Sequence, residues 1–218
     1  MLLPQGPPEY ARPRGSDGYT VEAGRIVSTD GLDIPVEDYP AHFQERQISY
    51  AMAKQTRVAG RGGPMVGALA RMNVKFDRLS PAAAGLAREV GFAVPDHSPF
   101  HNNLAQALEI VHGIDECVES LDGLEPVDER PEVTPAAGEG AAITEAPRGL
   151  LYHAYAVNRK GVMERANLVT PTAHNFLSIE EDLQHLVDAL ADQPPERIRL
   201  ACEMLVRAYD PCFSCSVH

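Results

Sequence analysis

The sequence has no apolar run approaching the roughly 18 residues that a membrane-spanning helix needs, so no transmembrane segment is expected. It is poor in basic residues: 19 Lys and Arg stand against 31 Asp and Glu, for a formal charge of −12. With no Lys/Arg block to offset that balance, neither a nucleic-acid backbone nor an anionic membrane is an expected partner. Cysteine is scarce, with four in 218 residues (Cys117, Cys202, Cys212 and Cys215), which argues against a disulfide scaffold. A close pair of thiols in such a chain points to metal binding or redox chemistry instead. The opening Met1-Leu2-Leu3-Pro4-Gln5-Gly6-Pro7-Pro8-Glu9 lacks the basic and apolar regions of a signal peptide, and a cytoplasmic location is expected. A dinucleotide loop is missing too. Ala59-Gly60-Arg61-Gly62-Gly63-Pro64 lacks the G-x-G-x-x-G spacing, and Pro64 stands where a helix should already be running, so the cluster reads as an ordinary loop.

What remains is an ordinary globular composition, 44% apolar and 23% charged, long enough to bury a substantial core. Residues 1–218 are expected to form a single domain, with 1–20 irregular and the first third poor in regular structure. Leu104, Leu108, Val111, Ile114, Val118 and Leu121 recur at helical spacing and predict one apolar helix face. Ser178 with Glu181 reads as a capping box that opens a second helix, with Ile179, Leu183, Leu186, Val187 and Leu190 on its face. A third helix starts near Pro195 and stops before Pro211. Shorter helices are predicted near 65–72 and 82–90. Residues 150–157 and 162–170, rich in Val, Leu, Tyr and Thr and separated by Asn158-Arg159-Lys160-Gly161, predict a β-hairpin. The Pro-, Gly- and acid-rich 125–140 reads as a surface connection. The fold class is therefore mainly α with one β-hairpin near 150–170.

Chemistry concentrates in the last nine residues, Asp210-Pro211-Cys212-Phe213-Ser214-Cys215-Ser216-Val217-His218. Two thiols three positions apart can face one metal when the backbone turns between them, and thiolates select soft or borderline metals such as zinc, nickel, copper and iron. Spacing alone leaves several readings open. One is a structural zinc site from Cys212, Cys215, His218 and a fourth ligand such as Cys202; the others are another metal, a redox pair, or no site. A second constellation, Glu145-Ala146-Pro147-Arg148-Gly149, precedes the hairpin. Glycine after arginine lets the backbone approach something closely, and an arginine held by proline presents a planar fork of donors to a small anion. The competing reading is a surface turn with a solvated arginine.

Together these residues resemble a known family. Arg207-Ala208-Tyr209-Asp210-Pro211-Cys212-Phe213-Ser214-Cys215-Ser216-Val217-His218 is similar to the D-P-C-x-x-C-x-x-H end of the large subunit of nickel–iron hydrogenases. Glu145–Gly149 matches that family's E-A-P-R-G, and Asn167-Leu168-Val169-Thr170-Pro171-Thr172-Ala173-His174-Asn175 its N-x-x-x-P-T-x-x-N stretch. Further segments (66–79, 102–104, 138–140 and 179–183) resemble its cytoplasmic bidirectional and sulfhydrogenase-like group. Two departures matter. The family's large subunit is about twice as long. Its N-terminal R-x-C-G-x-C, source of two of four metal-binding thiolates, is absent here. The resemblance therefore implies the C-terminal half of a split large subunit.

It also implies roles. Cys212 would be a terminal nickel ligand and Cys215 a thiolate bridging nickel to an iron that carries carbonyl and cyanide. Arg148 would overhang the open coordination position, Pro147 and Thr172 would complete the cyanide pocket, and Asp210 would orient Arg148. His218 and the Leu168 carbonyl would hold a magnesium or iron ion. The implied partners are an N-terminal-half chain, an iron–sulfur small subunit that holds the clusters, and flavin-containing electron-transfer subunits, with dihydrogen split heterolytically. Rival readings are a catalytically degenerate scaffold or hydrogen sensor, and a small zinc-binding structural protein. The other histidines are assigned to core or surface roles.

Overall fold

The computed structural model describes residues 9–14, 19, 24–122, 124–125 and 134–216. Helices and sheets share it, so a mainly helical class holds only roughly. In chain order the strands are β1 (Glu9–Arg14), β2 (Arg25–Ser28), β3 (Asp33–Pro35), β4 (Phe43–Arg46), β5 (Gln55–Val58), β6 (Pro64–Met65), β7 (Gly138–Ala146), β8 (Gly149–Val157) and β9 (Met163–Val169). The helices are α1 (Tyr39–His42), α2 (Ala68–Lys75), α3 (Pro81–Glu89), α4 (Asn102–Asp122), α5 (Pro171–Ala189), α6 (Pro195–Tyr209) and α7 (Phe213–Ser216).

The first third is more regular than its composition suggests. A four-stranded sheet runs β3-β2-β1-β6, and β4 pairs with β5. These strands are short, and the parallel pairing of Glu9 with Pro64 is non-local, so alternation within a window cannot show it. Within 1–20, residues 9–14 form β1; apart from Tyr19, the others lie outside the described residues. The single hairpin is also corrected. β8 and β9 are joined by the turn at 158–162, but β7 adds a third strand along the whole length of β8, from Gly138↔Val157 to Ala146↔Gly149. The connection expected to reach residue 140 thus ends at 137, because backbone pairing, not side-chain pattern, makes Gly138-Glu139-Gly140 a strand.

Two apolar clusters hold the chain. One is helical and gathers Leu69, Met72, Leu108, Ile179, Leu186, Leu205 and Tyr209. The other lies between the sheets and gathers Ile26, Tyr39, Phe43, Ile143, Leu150, Tyr152 and Val169. Only the first half of the α4 face packs inward: Ala105 and Leu108 are buried, whereas Ile114, Val118 and Leu121, expected on the same buried face, are 58–68% exposed. Ile110, at 65%, joins them. A bare apolar ridge of this kind is characteristic of interaction surfaces.

The second long helix starts earlier than its capping pattern suggests. Thr170 caps it by accepting from the Ala173 amide, and Pro171 fills the first turn. Ser178 is therefore mid-helix and buried, and its hydroxyl donates to the Pro64 carbonyl. Near the start of α5, His174 is fully enclosed. Its Nδ1 donates to the Thr170 carbonyl and its Nε2 accepts from the Tyr39 hydroxyl, both at 2.8 Å. Burial pushes its pKa down to about 4 from 6.5. The unfolded chain therefore takes up a proton first as pH falls. His174 costs no stability above pH 6.5, and the loss accumulates between 6.5 and about 4, reaching about 3 kcal/mol. Denaturant unfolding across this window is expected to show that slope, and His174→Gln to flatten it.

Candidate functional site

The Pro147-Arg148 tip of the β7–β8 hairpin meets the end of α6. Ala146 pairs with Gly149, so the connection is a two-residue turn. Proline fixes φ near −65°, which excludes the mirror-image turns usual in such hairpins; the positive φ falls on Gly149 instead, at 130°. A side chain there would collide with Val66, and the Gly67 amide would lie 2.8 Å from the added carbon. Gly67, at φ 111°, reciprocates: its added carbon would be 2.9 Å from the Arg148 carbonyl oxygen. Two glycines back to back thus seat the hairpin tip on the N-terminus of α2. Asn175 fixes the link between β6 and α2 by binding both the amide (2.8 Å) and the carbonyl (3.1 Å) of Val66.

At the other end of the site, α6 stops at Asp210, which takes the left-handed conformation (φ 51°, ψ 53°). It is the sole non-glycine residue with positive φ among the described residues, and aspartate tolerates that region better than most. Pro211 then prevents the helix from resuming. This reversal points Asp210 at the hairpin tip. Arg148 Nε donates to the Asp210 carbonyl at 2.8 Å and lies 3.0 Å from its Oδ2, while Nη2 donates to Oδ1 at 3.1 Å. Gln106 on α4 donates to Oδ2 at 3.2 Å. Both partners of the pair are about 40% exposed, so its contribution to stability is small and its effect is orientation.

Two residues on, the Cys212 amide donates to the Thr172 hydroxyl oxygen at 2.9 Å, tying the last turn to the start of α5. Cys212 and Cys215 face each other across that turn, joined as a disulfide with Cα atoms 5.4 Å apart. The same juxtaposition lets two thiolates share a metal. Leu168 and Cys215 line one cleft of about 190 Å³, and Leu168 is half exposed. His218 lies outside the described residues. Cys202 packs on the helical core, and among the described residues no three His, Cys, Asp or Glu side chains converge as a metal site. In the zinc reading Cys202 would have to join from within α6, two turns before that helix ends.

The site thus joins Pro147, Arg148, Thr172, Asp210, Cys212 and Cys215. The periodic reading of the sequence missed Arg71, whose side chain is 3% exposed and bridges Glu109 and Glu145. Burial opposes its charge, but hydrogen bonds and charge from the two glutamates more than offset that and hold it protonated. A helical pattern assigns such an arginine to solvent; the only available hint was its place in the 66–79 segment. Beside the pair lies a cavity of about 560 Å³ lined by Arg71, Gln106, Ile110, Pro147 and Asp210, continuous with the bare ridge of α4.

Comparison with known proteins gives a consistent result. The family model described as nickel-dependent hydrogenase matches residues 46–218. The chain is 39% identical over 210 residues to sulfhydrogenase 1 subunit alpha of Pyrococcus furiosus, covering 95% of this chain and 48% of that one. It is 32% identical over 211 residues to the NAD-reducing hydrogenase HoxS subunit beta of Cupriavidus necator, covering 89% and 43%. Its fold matches a solved NAD+-reducing nickel–iron hydrogenase in the H2-reduced state with a TM-score of 0.77, at 23% identity, over 99% of this chain and 52% of that one. The chain spans about half the length of the relatives it matches.

Proposed function

The chain belongs to the nickel-dependent hydrogenase family, and from that premise we propose that it is the C-terminal part of a catalytic subunit that cleaves or forms dihydrogen at a nickel–iron centre. One observation carries the reading: the Arg148–Asp210 pair and the Cys212-x-x-Cys215 turn, 62 residues apart in sequence at the first pair, converge at one end of the fold. The donor chemistry fits. Two sulfurs on one turn suit a soft metal, for which they would supply half of a four-thiolate set. Cys212 and Cys215 would both hold the metals, with the remaining thiolates from a segment bearing R-x-C-G-x-C. When bound, such a centre, with carbonyl and cyanide on iron, supplies the redox-active position at which dihydrogen is split heterolytically.

The protein's own residues define the surroundings. Arg148 keeps its charge at any working pH, and Asp210 holds its fork through both carbonyl and carboxylate. Pro147 stiffens the hairpin tip and would, with the Thr172 hydroxyl, border the cyanide ligands. Thr172 oxygen already accepts from the Cys212 amide, so its proton is available to donate outward. His218 and the Leu168 carbonyl would hold a magnesium or iron ion. The bare ridge of α4 and the adjoining cavity suit contact with the remaining half of such a subunit. An iron–sulfur small subunit and flavin-containing subunits would carry electrons away, in the cytoplasm. Among the described residues no helix is long and apolar enough to cross a membrane.

Elemental analysis of the complex, purified without oxygen from its native host, tests the reading. About one nickel per chain with iron in excess is the expected result. Zinc at that level without nickel would overturn it and leave a structural protein. Nickel absent from an intact complex would leave a degenerate scaffold.

A further inference from the structure

We propose that Arg71 is a positioning residue that fixes the backbone before Arg148 and so sets where the Arg148 guanidinium reaches. The proposal rests on the catalytic reading above. Arg71 stands in the middle of α2 with its side chain 3% exposed. Every edge of its fork is used. Nε and Nη2 each donate to an oxygen of Glu109 on α4, at 2.5 Å. Nη1 donates to Glu145 Oε1 at 2.8 Å and to the Ala146 carbonyl at 3.1 Å, and Nη2 also donates to the Pro147 carbonyl at 2.8 Å. The three residues that lead into Arg148 thus hang on one guanidinium. Four residues earlier, at the cap of the same helix, Gly67 closes on the Arg148 carbonyl. The hairpin tip is held from outside itself, as its proline-containing turn requires.

The pattern is specific to arginine. A guanidinium meets a carboxylate edge-on and still has protons for carbonyls in the same plane, whereas an ammonium on a shorter stem can satisfy one cluster at a time. Arg71→Lys therefore keeps the buried charge between Glu109 and Glu145 and loses the contacts to Ala146 and Pro147. A small displacement of a charged group at a reacting centre is costly even when nothing else moves.

The test uses the assembled complex purified without oxygen. Arg71→Lys is expected to keep wild-type nickel content and an unchanged KM for dihydrogen, while kcat falls roughly ten- to a hundredfold. Backbone hydrogen exchange in the peptide covering 144–150 should accelerate, and exchange in α5 should not. In an Arg148→Lys background, Arg71→Lys should lower kcat no further, because a residue acting through Arg148 has nothing left to position. Losses that multiply in the double variant, exchange that rises in every element, or an unchanged kcat would each overturn the proposal. If Arg71→Lys does not accumulate, Glu109→Gln carries the test. It leaves the guanidinium in place with one partner neutral, and the same confined exchange and the same non-additivity are expected; their absence refutes the role. A wild-type complex lacking nickel and turnover would remove the hydrogenase reading instead, and the exchange measurement would still decide whether Arg71 holds the turn.

Discussion

Serine in place of Cys212 or of Cys215 is expected to strip nickel from the complex and abolish hydrogen turnover. The two sulfurs face each other across one turn and are the soft donors that this chain offers at its candidate site. An alcohol oxygen is a hard, protonated ligand at neutral pH and does not replace a thiolate on nickel. The loss should exceed the roughly 10–100-fold typical of removing a residue one layer out from a metal. Nickel analysis and hydrogen uptake on the same preparation check it. Either variant with wild-type nickel would reassign the pair to a covalent staple. The fold should survive in both, since Cys212 is also tied down through its amide to Thr172, a contact that serine keeps.

The second large effect is expected at Arg148. Arg148→Lys should leave nickel in place and lower turnover by about 10²–10³-fold, the range seen when a preorganised charge or donor is removed from a reacting centre. Arg148 is gripped by both the carbonyl and the carboxylate of Asp210, and lysine cannot span the two while reaching past them. The pair is about 40% exposed, so the variant should be nearly as stable as the parent, which separates a defect in chemistry from one in folding. Wild-type rates would take Arg148 out of the mechanism.

What the sequence discloses depends on how local the cause is. α4 and α6 are legible because apolar residues recur on a helical period and because prolines mark the ends of α6. α5 is legible in type and misread at its start. Ser178 and Glu181 spell a cap, but Thr170-Pro171 has already begun the helix two turns earlier, and Ser178 is committed to Pro64. The short strands of the first third are set by partners far along the chain, and β7 by backbone pairing beneath a glycine-rich sequence. The site is split in the same way. The C-x-x-C spacing is visible as metal chemistry, and glycine after arginine does mark a close approach, which proves to be with Gly67. Spacing and local chemistry do not say that the hairpin tip reaches Asp210; only the family resemblance implies that pair. That pairing depends on the left-handed residue at the end of α6 and on a buried arginine that helical periodicity assigns to solvent.

The uncovered ridge of α4 bears on how such a protein is made. Ile110, Ile114, Val118 and Leu121 present to water a strip of the kind that chaperones hold and that proteases and aggregates exploit. Wherever such a strip is bare, it invites contacts that the rest of the surface does not. At high concentration the strips of two such molecules can meet, and a ridge that is harmless when dilute becomes the first contact of an aggregate.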